Sequence, residues 1–250
     1  MIIILDFRID FYCVNIMGSI RKNNEDNFYA LGRYRRQDET DNDIAIKGSF
    51  SSSDNQILAV YDGMGGENCG EVASLMAACG TEKYCGNVFD SVVTLNDLCS
   101  SLNNEIFDYA NSNNLGCVGT TAALLLFSDK IYACNLGDSR VYKISNNFID
   151  QISMDHSMPA PKRRKAPLTQ FLGLSEDEIQ LSPFITQGEY NVGDKYLICS
   201  DGITDLIDES EILKIITVNS SIETATDMLV SLAIQRGGID NITIIMCDIR

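Results

Sequence analysis

The chain has 250 residues, 45% of them hydrophobic, which is enough for one sizeable core at a length common for a single sheet-rich domain. With 35 acidic against 19 basic residues, its net charge of -16 argues against binding to nucleic acid or to an anionic membrane surface, where a basic face supplies the affinity. The excess of acid suits cation recruitment, although a solvated acidic surface alone would also produce it.

The nine cysteines, at 13, 69, 79, 85, 99, 117, 134, 199 and 247, include no Cys-x-x-Cys pair, so neither a zinc site nor a disulfide framework is implied. Most lie in apolar runs such as Tyr132-Ala133-Cys134, where Cys acts as a small hydrophobe, and a reducing cytoplasm is the expected compartment. The opening Met1-Ile2-Ile3-Ile4-Leu5 is too short to cross a bilayer and is followed by Asp6, Arg8 and Asp10. It reads as an extra edge strand and not as a signal peptide.

Strands are predicted first over 9–17 and 27–32. The stretch 33–55, with Gln37-Asp38-Glu39-Thr40-Asp41 and Ser51-Ser52-Ser53-Asp54, reads as a mobile polar insertion before a strand at 56–61. A helix follows over 68–86 with Val72, Leu75, Met76 and Cys79 as its core stripe. A second covers 94–112, with Leu95, Leu98, Leu102, Ile106 and Tyr109 inward. Strands then run over 118–127, 130–136, 139–144, 180–187 and 195–200. A helix after Asp208 buries Ile212, Leu213, Ile215 and Ile216, another over 222–236 buries Ala225, Met228, Leu229 and Leu232, and a strand at 241–248 closes the chain. The short links Ser128-Asp129-Lys130 and Gly137-Asp138 predict antiparallel hairpin neighbours. The expected class is α+β: a four-layer αββα sandwich of two facing antiparallel sheets, each covered by a pair of antiparallel helices, in one domain over 1–250.

Five carboxylate motifs sit where apolar runs give way to turns: Asn23-Asn24-Glu25-Asp26-Asn27, Asp62-Gly63-Met64-Gly65-Gly66, Gly137-Asp138-Ser139-Arg140, Ser200-Asp201-Gly202-Ile203-Thr204-Asp205 and Gly238-Ile239-Asp240-Asn241. Asp and Gly are poor strand residues, so sheet stability does not explain their recurrence at strand ends. Oxygen ligands scattered in sequence and gathered by the fold are what hard cations such as Mg²⁺ and Mn²⁺ require in a two-metal hydrolase.

In this order the motifs resemble the metal-dependent protein phosphatases of the type-2C class, in their bacterial form, from about Val14 to Ile249. The resemblance implies hydrolysis of phosphoserine and phosphothreonine with two or three Mn²⁺ or Mg²⁺ ions, by in-line attack of a water that two ions share. It implies that Asp62 bridges two ions, that Glu25 and the Gly63 carbonyl complete one, and that Asp201 and Asp240 hold the other. It places Asp138 and Asp205, with Asp201 shared, at a third and weaker ion. Arg21 falls where the family holds the substrate phosphate, for which a guanidinium fork is suited; the alternative is a surface arginine paired with a nearby acid. Asp26 resembles an acid behind the ligands that orients water, and Asn241, Thr120, Thr121 and Arg140 are assigned to the scaffold and to supporting positions behind the ligands. Gly65 and Gly66 are expected to turn the chain tightly beneath the metals.

Two departures from the family pattern stand out. Met64 occupies the position where many eukaryotic members carry a histidine, and the only histidine, His156, is read as structural or solvent-facing. The family's helical flap is reduced to 157–167, which holds the basic run Lys162-Arg163-Arg164-Lys165. That run would attract acidic phosphorylated segments or be a solvated loop. The implied partners are phosphorylated proteins, among them a Ser/Thr kinase and its substrates, and the chain is expected to be a monomer. Two rival readings are a non-catalytic phosphoprotein-binding regulator on the same scaffold and a two-metal phosphoesterase acting on a small phosphate.

Overall fold

The computed structural model describes residues 6–39, 43–65, 69–86, 88, 90–159, 166–175 and 177–250. Its first half contains β1 (Arg8–Ile16), β2 (Asp26–Ala30), β3 (Ile44–Ser51), β4 (Gln56–Gly65), α1 (Gly70–Thr81), α2 (Ser91–Ser112), β5 (Val118–Thr120) and β6 (Ala122–Phe127). The second half contains β7 (Ile131–Leu136), β8 (Arg140–Ser145), β9 (Phe148–Gln151), β10 (Phe184–Gly188), β11 (Lys195–Cys199), the single turn α3 (Asp201–Thr204), α4 (Glu209–Val218), α5 (Ile222–Gln235) and β12 (Ile242–Ile249).

One sheet orders as β3-β1-β12-β11-β8-β9, the other as β10-β7-β6-β4-β2, with β5 on the far end of β4. Strand periodicity explains the layers. Along β4, Ile57, Ala59 and Tyr61 face the core shared with α1 and α2, while Leu58 and Val60 face the core between the sheets. Along β12, Ile245, Cys247 and Ile249 face inward, and Ile242, Ile244 and Met246 pack toward α4 and α5. Because both faces of these strands are covered, they read as continuous apolar runs and not as alternating ones. Phe127 joins the layers, its ring centroid 5.3 Å from that of Phe50 and 6.3 Å from that of Tyr196. The result is the expected αββα sandwich.

Several details differ from the sequence expectation. The polar stretch 33–55 contains β3, an edge strand paired with β1 from Arg8↔Ser51 to Asn15↔Ile44. Its polar composition reflects that only part of one face is covered. The Gly137-Asp138 link is not a hairpin, because β7 and β8 belong to different sheets. Sheets pack about 10 Å apart, a distance a few extended residues can span, so a short link serves equally well as a crossing between layers. The run 118–127 is broken at Thr121, whose N–H donates to the Asp62 carbonyl at 2.8 Å.

The core face of α1 is Ala73, Ala77 and Ala78, and the larger Val72, Leu75, Met76 and Cys79 are only half-buried. The helix starts so close to β4 that a Cβ on Gly63 would lie 2.1 Å from the Gly70 carbonyl oxygen, leaving room only for small side chains. The α2 stripe is buried except for half-buried Tyr109, and in α4 Ile212 and Ile216 are buried while Leu213 and Ile215 are half-buried. In α5, Ala225 and Leu229 are buried, Leu232 is half-buried, and Met228 is exposed. The readings of residues 1–5 as a strand, of Gly66 as a turn and of the basic run 162–165 lie outside the described residues.

Candidate active site

Five segments meet at one end of the sandwich, where strands stop. Glu25 precedes β2, Asp62 and Gly63 lie late in β4, Asp138 lies in the β7–β8 crossing, Asp201 opens α3, and Asp240 precedes β12. Arg21, Glu25, Asp62, Gly63, Asp138 and Asp240 line a single cavity of about 340 Å³. Asp201 is buried and Asp205, at the end of α3, is exposed, and neither belongs to the lining. Glu25, Asp62, Asp138 and Asp240 stand around the cavity wall; among the described residues no three His, Cys, Asp or Glu side chains form a closed metal cluster.

The backbone holds these positions through short ties. Gly63 N–H donates to the Glu25 carbonyl at 3.0 Å, and Glu25 N–H donates to Asn241 Oδ1 at 2.9 Å. The Asn241 amide donates in turn to the carbonyls of Met17 and Asn23, at 2.8 and 2.9 Å, so one buried side chain fastens the loop before β2 to the start of β12. Asp62 N–H donates to Thr121 Oγ1 at 3.0 Å, and Thr121 shares a 2.7 Å hydroxyl contact with Ser139 beside Asp138. Glycines are required where backbones touch: a Cβ on Gly202 would lie 2.0 Å from the Asn241 carbonyl oxygen. Gly65, however, is an extended residue of β4 paired with Val118 and not part of a tight turn.

Asp26 is buried, lies opposite Asp62 in the β2–β4 register, and accepts from Ser200 Oγ and Thr243 Oγ1, both at 2.7 Å. Burial pushes its carboxyl up to about 7; the two hydroxyls offset part of this, and the charges of Asp201 and Asp240 add to it. These hydrogen bonds tie β2 to the residues beside Asp201 and Asp240. Sequence reasoning missed its partners Ser200 and Thr243, and also Asn15, whose amide donates to Thr243 at 2.6 Å. The signal was present: Asn15 and Thr243 are polar residues inside apolar strands, and they pair in register.

Arg21 Nη2 bonds Asp240 Oδ2 at 2.9 Å, so the pairing with a nearby acid is realised at the cavity mouth. Burial lowers its proton affinity, but the Asp240 hydrogen bond and the charges of Asp240, Glu25 and Asp62 outweigh this and raise it. Arg140 lies further back and grips Asp155 at 2.6–3.0 Å. His156 is buried, its backbone N–H donating to the Gly137 carbonyl at 2.9 Å, and burial depresses its pKa despite neighbouring Asp155. It is a structural residue behind the Asp138 turn.

A fold of two sheets between helix pairs, with an oxygen-lined cavity and one arginine at the strand ends, defines a metal-dependent phosphoesterase class. The chain belongs to the protein phosphatase 2C family, whose sequence profile matches residues 31–234. It is 31% identical over 240 residues to the serine/threonine phosphatase stp of Listeria monocytogenes, covering 87% of this chain and 92% of that one. The crystal structure of the Mycobacterium tuberculosis serine/threonine phosphatase PstP/Ppp superposes with a TM-score of 0.79 at 25% identity, covering 96% of this chain and 98% of that one. The catalytic domain of PstP in complex with two manganese ions gives a TM-score of 0.77 at 25% identity, covering 97% and 99%.

Proposed function

We propose that this chain is a metal-dependent protein serine/threonine phosphatase that hydrolyses phosphoserine and phosphothreonine monoesters in proteins. The observation that carries this reading is the convergence of Glu25, Asp62, Asp138, Asp240 and Arg21 on one cavity. Its donor set is oxygen, which fits Mn²⁺ or Mg²⁺ and not a soft metal. Asp62, Glu25 and the Gly63 carbonyl would hold one ion, and Asp62, Asp201 and Asp240 would hold the second. Asp138, which lines the cavity, would serve a third and weaker ion together with Asp201 and Asp205. Divalent cations supply Lewis acidity, making water a competent nucleophile at neutral pH and offsetting charge that develops at phosphorus.

The side chains do the rest. Arg21 exchanges its Asp240 contact for two phosphate oxygens of the substrate, binding it at the mouth. Asp26, Asn241 and the hydroxyls of Ser200, Thr243 and Thr121 keep the carboxylates in place. Met64 lines the cavity without an ionisable group, so the leaving hydroxyl takes its proton from solvent.

The same reading makes phosphorylated proteins the substrates, with a Ser/Thr kinase and its targets among them, and places a monomeric single catalytic domain in the cytoplasm. All nine cysteines are free thiols, which supports a reducing compartment, and no helix among the described residues is long and apolar enough to cross a membrane. The test is hydrolysis of phosphoserine and phosphothreonine peptides beside nucleotides and an aryl phosphate. Activity should require Mn²⁺ or Mg²⁺, disappear with chelator, and be lost in Asp62→Asn and Asp201→Asn. Undiminished turnover in excess chelator would overturn the mechanism, and preference for a nucleotide would overturn the substrate class.

A further inference from the structure

A second and larger cavity, of about 800 Å³, lies beside the carboxylate cavity. The partition is thin: Arg21 and Glu25 line the first cavity, the intervening residues 22–24 line the second, and a Cβ on Gly70 would lie 3.0 Å from Glu25 Cδ. The next residue of α1, Glu71, already faces the second cavity. No residue of this lining takes part in the hydrolysis proposed above.

Its chemistry is unusual for so acidic a chain. Lys22 and Arg36 stand exposed on its rim, and neither forms an ion pair with a described residue. Val72, Leu75 and Tyr109, the half-buried side chains that α1 and α2 withhold from the core, supply apolar walls. Glu71 presents a buried Oε2 that has no hydrogen-bond partner among the described residues. Unpaired cations, apolar wall and an open acceptor together suit a chain that brings carboxylates, methylene groups and backbone N–H donors.

We propose that this cavity is a specificity subsite for acidic residues flanking the phosphorylated serine or threonine of a protein substrate. The proposal rests on the phosphatase reading. Arg21 and Lys22 are consecutive, about 3.8 Å apart at Cα, and an extended peptide advances about 3.3 Å per residue. A substrate whose phosphate lies at Arg21 therefore carries residues only a few positions away over the partition. There Lys22 and Arg36 pair with its carboxylates, Glu71 accepts a backbone N–H, and Val72, Leu75 and Tyr109 take the aliphatic stems. The complementarity is of charge: in a protein with net charge -16, a cationic rim beside the reaction centre selects anionic sequence and repels basic sequence.

The experiment compares kcat/KM for two phosphothreonine peptides, one flanked by Glu and one by Lys, with a small aryl phosphate as reference, in the whole chain with Mn²⁺. The wild-type protein should prefer the acidic peptide. In Lys22→Glu/Arg36→Glu the ratio of acidic to basic peptide should fall by about tenfold or more, through loss on one and gain on the other, with the aryl phosphate nearly unchanged. The ratio does not depend on the folded fraction, and Leu75→Glu should lower it in the same direction. An unchanged ratio in both variants, or no wild-type preference, overturns the subsite. Failure of the wild-type protein to hydrolyse even the aryl phosphate overturns the phosphatase reading instead.

Discussion

In the proposed reaction Arg21 serves two states, paired with Asp240 before substrate arrives and holding its phosphate afterwards. Their 2.9 Å contact places the guanidinium at the cavity mouth, where the charges of Glu25 and Asp62 also act on it. A phosphate contact made before and during reaction stabilises substrate and transition state alike, so Arg21→Ala should raise KM by about tenfold or more while kcat changes less. Steady-state kinetics with a metal titration check this; an unchanged KM with weakened metal activation would make Arg21 a structural partner of Asp240. Gly202 sets a steric limit of a different kind. A methyl group 2.0 Å from the Asn241 carbonyl oxygen cannot fit, so Gly202→Ala must separate α3 from the start of β12 and move Asp201 relative to Asp240. Misplacement on the order of 1 Å costs about 100-fold in rate, and kcat should fall on that scale with the circular dichroism spectrum retained. Wild-type turnover in that variant would mean the two segments need not touch.

At the scale of elements, the two helix pairs divide the work. The α2 helix contributes Leu95, Leu98, Leu102 and Ile106 to the core over one sheet and no residue to the carboxylate cavity. Leu98→Ala should therefore destabilise by about 2–5 kcal/mol, read as a lower denaturation midpoint, with kcat/KM unchanged below the unfolding range. Asp90 caps the same helix, its Oδ1 accepting from Val92 and Val93 N–H at 3.0 and 3.1 Å, and Asp90→Ala should cost about 1 kcal/mol by the same measurement. The α1 helix is different, since its alanine face brings Gly70 against Gly63 and Glu25. The sequence made the four long helices legible through their periodicity, but for α1 it favoured the wrong stripe, because hydrophobicity ranks Val72 and Leu75 above Ala73 and Ala77. What decided the face was distance to β4, which no local pattern encodes.

For the whole molecule, the net charge of -16 is a self-repulsion that the fold must withstand. Raising ionic strength from about 10 mM to about 150 mM shortens the screening length from roughly 30 to roughly 8 Å, so Tm of the metal-free protein should rise over that range. A flat or falling Tm in calorimetry would show that the acidic residues are already balanced by local partners such as those of Arg140–Asp155 and Lys143–Asp194, at 2.6 and 2.8 Å. Divalent cations should add stabilisation beyond that of monovalent salt at equal ionic strength, because binding to the folded state alone shifts the unfolding equilibrium.

Sequence by itself determined the fold class and most of the strands and helices in order, because these follow from apolar period and turn residues, and its acids at strand ends named the candidate carboxylates. The resemblance to the family added the expectation of a reduced segment at 157–167, and the sequence holds a single histidine. Tertiary structure decided what depends on distance between remote segments. It turned Gly137-Asp138 into a crossing between sheets, made an edge strand of 44–51, and buried Asp26 between Ser200 and Thr243. It also set Arg21 against Asp240 and opened a second cavity across the Glu25–Gly70 contact. A residue type declares which chemistry it can perform, but which partner it meets is settled only when the packed chain fixes which backbones touch.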